Sequence, residues 1–361
     1  MAITWQQMVM WLIGGILIYL AIKKDMEPTL LLPMGFGAIL VNLPLSGAVT
    51  QGAEEGVIDV LFGAGIANEL FPLLLFIGIG AMIDFGPLLS NPKLMLFGAA
   101  AQFGIFMTLT LATLMGFPIK DAASIAIIGA ADGPTSIFVA NYFKTEYVGA
   151  IVVAAYSYMA LVPIVQPPVI KLLTTKKERM IRMPYNPKKV SKLTKILFPI
   201  VITVITGIVS PKSVSLIGFL MFGNLIRECG VLNNLSETAQ KSLANLVTIL
   251  LGITISTKMQ AAAFLKAETL MIIGLGLVAF IFDTAGGVIF AKFLNLFSKN
   301  KINPMIGAAG ISAFPMSSRV VHKMGLAEDN QNFLLMHSTG VNVSGQIASV
   351  IAGGLILNLI H

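Results

Sequence analysis

The chain alternates long apolar runs with short polar connections, a pattern typical of membrane-spanning helices. Twelve runs occupy approximately residues 8–22, 29–43, 70–84, 93–116, 122–142, 148–171, 194–209, 214–226, 243–257, 267–296, 303–322 and 331–360. A helix needs about 20 residues to cross a bilayer core, so the shorter runs are expected to be re-entrant or paired. The pattern therefore predicts an all-α polytopic membrane protein with about 10–12 transmembrane segments.

Composition places the chain in lipid. Of its 361 residues 56% are hydrophobic and 11% charged, whereas about a quarter of the residues in a soluble domain are charged. The first apolar run, Val9 to Ile22, has neither a basic leader nor a small-residue cleavage site, so we interpret it as a retained membrane segment. A single cysteine, Cys229, and three scattered histidines argue against a disulfide and against a transition-metal site.

The net charge of +7 is concentrated in one loop. Residues 171–195 carry nine Lys and Arg residues and one acid, which accounts for the whole surplus. A basic loop between membrane segments is expected on the cytoplasmic side, so the charge does not indicate a nucleic-acid partner, although a site for acidic lipid or another partner on the loop stays open. The loop divides the chain into a first membrane repeat (1–171), a basic cytoplasmic loop (172–195) and a second repeat (196–361).

The two halves resemble each other. "PTLLLPMGFGAILVNL" from Pro28 aligns with "PKSVSLIGFLMFGNLI" from Pro211, and "IIGAADGPTS" from Ile127 aligns with "MIGAAGISAF" from Met305. Lys23 and Lys24 suggest that the first segment ends in the cytoplasm, as the basic loop does. The N-terminus would then lie outside and the basic loop inside, so the first half crosses the membrane an odd number of times. We therefore expect two inverted repeats, with broken helices crossing near the midplane, as in many secondary transporters.

The first candidate site is a break within an apolar run. Asp132 precedes Gly133 and Pro134, which oppose a continuous helix, and Thr135 and Ser136 follow. Freed carbonyls, two hydroxyls and a carboxylate form an all-oxygen environment that suits a small alkali cation and a titrating proton. The alternative is a kink whose aspartate only caps the next half-helix, but an ionisable group in a membrane segment indicates function by default.

The second candidate site is the matching break in the second half. It offers the amide of Asn303, a close backbone approach at Gly307, the hydroxyl of Ser312 and the cation of Arg319. Arg319 could instead reach the membrane interface as a snorkelling side chain.

Four further residues carry polar groups into apolar runs. Asn342 and Ser344 interrupt the last run, where they either bind an ion or bond between helices. Tyr158 follows the first break and by position alone reads as a membrane-interface residue. Asp283 lies in "FIFDTAGG"; it either pairs with Lys292 or forms a second proton or ion site.

Four long motifs resemble one known family. "ELFPLLLFIGIGAMIDFGPLLSNPKLMLFGAAAQFGIF" from Glu69, "GAADGPTSIF", "INPMIGAAGISAFPMSSR" and "GVNVSGQIAS" together resemble the membrane-integral beta subunit of the sodium-translocating biotin-dependent decarboxylases. These are the oxaloacetate, methylmalonyl-CoA and glutaconyl-CoA decarboxylases of anaerobic bacteria. The resemblance covers about residues 60–355.

The resemblance implies a function, its ligands and its partners. A beta subunit of this family receives carboxybiotin from a biotin-carrier or carboxyltransferase alpha subunit, decarboxylates it and moves sodium outward while consuming a proton. It implies a small gamma or delta subunit, a homo-oligomer within the complex and a multi-pass position in the bacterial cytoplasmic (inner) membrane.

The resemblance also implies roles for individual residues. Asp132 would bind sodium and transfer the proton, and Tyr158 would take part in proton movement. The family's arginine falls on Arg319, which by its permanent charge could hold the carboxylate of carboxybiotin or its leaving CO₂ unit. With the polar groups of Thr135, Ser136 and Ser344, which the motifs themselves suggest, the expected sodium ligands are Asp132, Thr135, Ser136, Asn303, Gly307, Ser312, Asn342 and Ser344.

One other function class fits the pattern of residues just as well, and a further one fits it less well. A sodium/proton antiporter or sodium-coupled symporter would also have inverted repeats and a midplane aspartate. A structural membrane anchor would not explain polar residues at matched positions in both halves.

Overall fold

The computed structural model describes residues 3–24, 28–51, 54–185 and 189–360, which form helices joined by turns and loops, with one isolated bridge between Gln51 and Glu54 and no strand among them. Residues 186–188 of the basic loop, including Lys188, lie outside the described residues, as do residues 1–2, 25–27, 52–53 and 361 of the two predicted repeats. The α-helices are α1 Trp5–Lys24, α2 Pro28–Val41, α3 Val57–Phe62, α4 Leu70–Met82, α5 Gly86–Ser90, α6 Met95–Ala101, α7 Phe103–Leu114, α8 Ile119–Ala126, α9 Gly133–Tyr142, α10 Val148–Leu173, α11 Lys176–Arg179, α12 Lys192–Val209, α13 Val214–Glu228, α14 Asn233–Glu237, α15 Ala244–Ile255, α16 Ala261–Phe264, α17 Ala267–Phe297, α18 Met316–Glu328 and α19 Leu335–Leu359.

Shorter helical turns join some of these helices. The 3₁₀ turns are Pro92–Leu94, Ile127–Ala130, Pro211–Ser213, Ser256–Met259 and Pro304–Gly310, and the π-helical turns are Gly63–Ala67 and Thr238–Leu243. Backbone groups in lipid must be satisfied within their own segment, which explains why the apolar runs become helices.

Within the described residues, seven helical stretches are long and apolar enough to span a membrane, and a pair bent by 60° gives an eighth if it counts as one span. The seven are Trp5–Lys24, Pro92–Leu114, Val148–Leu173, Lys192–Val209, Asn233–Met259, Ala267–Phe297 and Leu335–Leu359. The predicted all-helical, multi-pass architecture is confirmed. Fewer segments than the predicted 10–12 pass this length test. Helices α2 and α13 have only 14 and 15 residues, and the two predicted breaks divide the apolar runs 122–142 and 303–322 into shorter pieces.

Exposure separates peripheral helices from central ones. In α1 and α12 large apolar side chains such as Leu12 and Ile208 are exposed, as expected of surfaces that face lipid. The last helix, α19, is instead largely buried, with polar residues such as Asn342 and Gln346 along it. Together with α10 and α17 it surrounds the two breaks.

The order of elements and their contacts repeat between the halves. Helix α2 packs against α15, and α13, which is the counterpart of α2 in the alignment of the halves, packs against α4. Helix α10 packs against α17 in the same way that α19 packs against α6. Each of these helices thus packs against a helix of the other half, which supports the internal repeat. The inversion of one copy relative to the other stays a prediction.

The basic loop is attached to the second half by ion pairs and hydrogen bonds. Arg179 pairs with Glu328 (Nε–Oε1 2.6 Å) and Arg182 with Asp329 (Nε–Oδ2 2.5 Å), both at the end of α18. Glu178 pairs with Lys292 of α17 (3.2 Å). The described part of the loop is therefore fixed to the end of α18 and to α17.

Candidate functional site

The first break, residues 127–132, places one carboxylate at the start of a half-helix. Helix α8 tightens into the 3₁₀ turn Ile127–Ala130, Ala131 adopts a left-handed conformation (φ 51°), and Asp132 is extended. Pro134 lies in the first turn of α9, where its missing N–H costs nothing. Asp132 is thus the N-cap residue of α9, as the capping alternative proposed, and it is also 3% exposed.

Three neutral donors surround the Asp132 carboxylate. Its Oδ1 accepts a hydrogen bond from the Thr135 backbone N–H (3.2 Å), and its Oδ2 accepts from the hydroxyls of Thr135 and Ser349 (both 2.8 Å). The Ser136 hydroxyl donates to the Asp132 carbonyl (2.8 Å). Among the described residues no cationic side chain pairs with Asp132. A buried carboxylate in this setting is stabilised by a bound cation or by protonation.

Ser349 is the one close partner of Asp132 that the sequence interpretation missed. It lies on α19, two turns after Asn342, and therefore shares a helix face with it. It also ends the quoted stretch "GVNVSGQIAS". Helical spacing from Asn342 was the signal that could have identified it.

The second break, residues 304–315, meets the first break directly. The Ser312 backbone N–H donates to the Ala130 carbonyl (2.9 Å). Helix α19 binds Ser312 through two groups: the Ser312 hydroxyl donates to the Gly345 carbonyl (3.0 Å), and the Gln346 amide donates to the Ser312 carbonyl. The structure therefore brings Asp132 and Ser312 together at the junction of the two breaks.

Asn342 contributes a free oxygen near this junction. Its amide nitrogen donates to the Ile311 carbonyl (2.7 Å), while its buried Oδ1 has no hydrogen-bond partner among the described residues. An unpaired buried acceptor is costly, so this oxygen fits a cation ligand. Ser344 differs, because its hydroxyl donates to the Val341 carbonyl of the same helix (2.6 Å).

Asn303 and Gly307 have structural contacts. The Asn303 amide donates to the carbonyls of Arg179 (2.8 Å) and Ile181 (2.9 Å), and its Oδ1 accepts from the Met305 N–H (3.1 Å). Asn303 thus ties the loop to the second break. A Cβ added at Gly307 would lie 2.0 Å from the Gly287 carbonyl oxygen of α17, so glycine permits this close approach. Their predicted roles as sodium ligands stay predictions.

The two buried tyrosines of α10 face different neighbours. The Tyr158 hydroxyl donates to the Ile273 carbonyl of α17, and its ring stacks on Phe280 at 6.5 Å. The Tyr156 ring instead covers Gly133, where an added Cβ would lie 2.2 Å from its Cζ atom. The Tyr156 hydroxyl is buried with no partner among the described residues. Tyr156 is therefore the tyrosine that contacts the residue following Asp132, and a proton role for Tyr158 stays a prediction.

Arg319 lines a cavity of about 800 Å³. Three cationic side chains line the cavity: Arg319 and Lys323, one turn apart on α18, and Lys24 at the end of α1. Its walls are otherwise mainly apolar: Pro28, Thr29, Pro163, Ile164, Pro167, Met316, Val320 and Met324. None of the three cations forms an ion pair with a described residue. The cavity suits an organic anion, since arginine binds carboxylates in a bidentate manner.

Comparisons with known proteins agree on one family. The profile of the family described as "Na+-transporting oxaloacetate decarboxylase beta subunit" matches residues 6–360. The glutaconyl-CoA decarboxylase subunit beta of Acidaminococcus fermentans is 50% identical over 359 residues, which cover 99% of this chain and 94% of the relative. The methylmalonyl-CoA decarboxylase subunit beta of Propionigenium modestum is 48% identical over 372 residues (97% and 94%). The oxaloacetate decarboxylase beta chain of Klebsiella pneumoniae is 44% identical over 412 residues (98% and 95%).

Proposed function

Because the chain belongs to the family of Na+-transporting oxaloacetate decarboxylase beta subunits, we propose that it decarboxylates carboxybiotin and couples this reaction to outward sodium transport with uptake of a proton. Carboxybiotin would arrive on a biotin-carrier subunit. The observation that carries the proposal is the buried, hydroxyl-bound Asp132 at the junction of two breaks, combined with a separate cationic cavity on α18.

Sodium and a proton compete for Asp132 in this mechanism. The carboxylate, the hydroxyls of Thr135 and Ser349 and the free Oδ1 of Asn342 are hard oxygen ligands. Sodium stabilises the ionised carboxylate because opposite charges attract, whereas a proton neutralises it and weakens the site for sodium. Exchange of one for the other at Asp132 would release sodium and admit the proton that decarboxylation consumes.

The cavity supplies the chemical step. The carboxylate of carboxybiotin would pair with Arg319, supported by Lys323 and Lys24. The N–CO₂⁻ bond breaks, CO₂ leaves, and the ureido nitrogen takes a proton, so one proton is consumed for each CO₂ released. The volume is within the usual range of small-molecule sites.

The position of the cavity supports entry from the cytoplasm. Lys24 and the basic loop are both predicted to be cytoplasmic, and the loop is attached to the end of the same helix, α18, that carries Arg319 and Lys323. This helix starts four residues after Ser312. A movement of α18 on binding carboxybiotin would therefore act on the junction that contains Asp132.

We further propose that the chain works in the bacterial inner membrane as one subunit of a complex. Its partners would be the alpha subunit, a small gamma or delta subunit and further copies of the chain. The exposed apolar faces of α1 and α12 are surfaces that lipid or a membrane subunit could cover.

The decisive experiment measures decarboxylation of free carboxybiotin by the purified chain with and without sodium. Sodium should stimulate the unaltered protein, and Asp132→Asn should abolish the stimulation. The Asp121→Asn variant, which changes a carboxylate in the first turn of α8, is the matched control. Absence of sodium stimulation in the unaltered protein would contradict the proposal, and sodium–proton exchange at full rate without carboxybiotin would identify an antiporter instead.

A further inference from the structure

A second carboxyl group lies entirely inside the molecule, outside the site just described. Asp283 is in the middle of α17 and is 0% exposed. Lys292, its partner predicted from the sequence, instead pairs with Glu178 and donates to the Leu173 carbonyl (3.0 Å). The predicted Asp283–Lys292 pair is therefore wrong, because the side chain of Lys292 is bound to Glu178 of the basic loop and to the end of α10. No described cation pairs with Asp283.

The two oxygens of Asp283 have different environments. Oδ1 accepts a hydrogen bond from the Ile105 N–H (3.2 Å), in the first turn of α7, where the α6–α7 span is interrupted at Gln102. Oδ2 is buried and has no partner among the described residues. Capping α7 needs only one oxygen, which a neutral amide could supply, and the cap alone leaves an unpaired charged oxygen in the protein interior.

The unpaired oxygen faces the first break. A Cβ added at Gly129 would lie 2.7 Å from Oδ2, and Gly129 is three residues before Asp132. The carboxyl group therefore touches α7, α17 and the segment that carries the ion site. A displacement of the break relative to α17 changes the surroundings of Oδ2 directly.

The elements around Asp283 contain few other titratable groups. Helices α6 and α7 and the 3₁₀ turn Ile127–Ala130 have no charged side chain. Two other helices that pack against α17 do carry titratable groups: Lys120 and Asp121 on α8, and Tyr156, Tyr158 and Lys171 on α10. The Tyr158 ring stacks on Phe280, one turn from Asp283 on α17, and Asp132 lies three residues beyond Gly129. A proton is the smallest ligand that neutralises Oδ2 in this closely packed contact.

We propose that Asp283 is a second proton-binding site: its Oδ2 holds a proton in the conformation described here and releases it when the first break moves away from α17. The step is the binding or loss of one proton at Oδ2, with no other bond formed or broken. The release step rests on the proposed transport function, whereas the binding of the proton does not.

Infrared difference spectroscopy on the purified full-length protein tests proton binding. A carboxylic-acid C=O band that persists at neutral pH, where exposed carboxyl groups are ionised, should be present in the unaltered protein and in Asp132→Asn, and absent from Asp283→Asn. The asparagine keeps an oxygen that can accept from Ile105, so the cap of α7 is retained. The Asp132→Asn measurement needs no change at position 283 and decides the question even if Asp283→Asn does not fold. A spectrum of Asp132→Asn without such a band overturns the proposal.

Sodium-dependent turnover of the reconstituted complex tests the release of the proton. Asp283→Asn should lower sodium-dependent turnover at least about tenfold while the half-saturating sodium concentration stays within about twofold, since Asp132 is untouched. A loss of folded protein would lower turnover by the same factor at every pH, whereas loss of this proton site should also change the pH dependence of turnover, so the pH profile separates the two explanations. Turnover equal to that of the unaltered complex would show that Asp283 keeps its proton throughout and would overturn the release step. If no variant transports sodium, the proposed function fails, and the infrared result still stands by itself.

Discussion

At the scale of the residue, the site depends on how each polar atom is paired. Asp132 is buried, yet both of its oxygens accept hydrogen bonds from neutral groups. This arrangement leaves the carboxylate without a permanent countercharge, so a mobile cation or proton can supply the compensation. A fixed arginine or lysine at this position would stabilise the charge permanently and remove the need for an ion.

Ser349→Ala should weaken the response to sodium. Its hydroxyl donates to Oδ2 of Asp132 (2.8 Å), and a hydrogen bond to a charged group contributes about 1.5–3 kcal/mol, so the sodium concentration for half-maximal stimulation should rise by about tenfold or more. Sodium-dependent decarboxylation measures this concentration. The control is Ser338→Ala, on the same helix, whose hydroxyl donates to the Leu334 carbonyl (2.9 Å). An unchanged sodium requirement in Ser349→Ala would contradict the assignment.

At the scale of the element, the breaks are held by close backbone contacts rather than by large side chains. The Gly287 and Gly307 backbones are so close that a Cβ at either residue would lie 2.0 Å from the other's carbonyl oxygen. Small residues at helix contacts permit such approaches in membranes, where dispersion contacts replace the hydrophobic effect as the driving force. The second break therefore depends on α17 for its position.

Gly287→Ala should destabilise the protein because the methyl group has no space. Overpacking of this kind costs about 1–3 kcal/mol, and thermal unfolding in detergent should show a lower midpoint. Gly274→Ala is the matched control, since it lies on the same helix with nothing within 4 Å of an added Cβ. Equal midpoints for the two variants would show that the contact between α17 and the break is loose.

At the scale of the whole molecule, the basic loop connects the two halves and also fixes the end of α18. Arg179 and Arg182 pair with Glu328 and Asp329, and Asn303 binds the loop backbone. The basic loop therefore holds parts of the structure together, in addition to indicating the cytoplasmic side. It joins the cavity helix to the second break, which are the parts that must move together in the proposed cycle.

The attachment of the basic loop to the end of α18 should weaken in acid. Hydrogen bonds from Arg182 hold the pKa of Asp329 below its ordinary value of 3.8. A carboxylate with a lowered pKa stabilises the folded contact above its unfolded pKa, and this contribution is lost as the pH falls through the folded value. Hydrogen exchange of residues 176–182, corrected for intrinsic rates, should accelerate below about pH 3.8. Asp329→Asn should show faster exchange already at neutral pH and no further change from this group, and identical behaviour of the two proteins would contradict the prediction.

Much of the architecture follows from local sequence. The apolar runs require helices, because lipid offers no partner for backbone polar groups. Pro134 and Pro304 predict where the helices break, and Asp132 stands out because a carboxylate is costly in an apolar run. These inferences needed only neighbouring residues, and the structure confirms the helical architecture and places both breaks in contact through Ser312 and Ala130.

The tertiary structure alone decided which distant groups complete the site. Ser349 reaches Asp132 across 217 positions, Tyr156 rather than Tyr158 covers Gly133, and Asn303 turns its amide to the loop. Side chains one or two positions apart on a helix point in different directions, so the choice between them depends on the packing of neighbouring helices. The sequence by itself determined that the chain is a membrane protein with a charged break in its first half. Only the packing of α10, α17 and α19 around that break determined which oxygens surround the charge, because those helices come together from segments far apart in the chain.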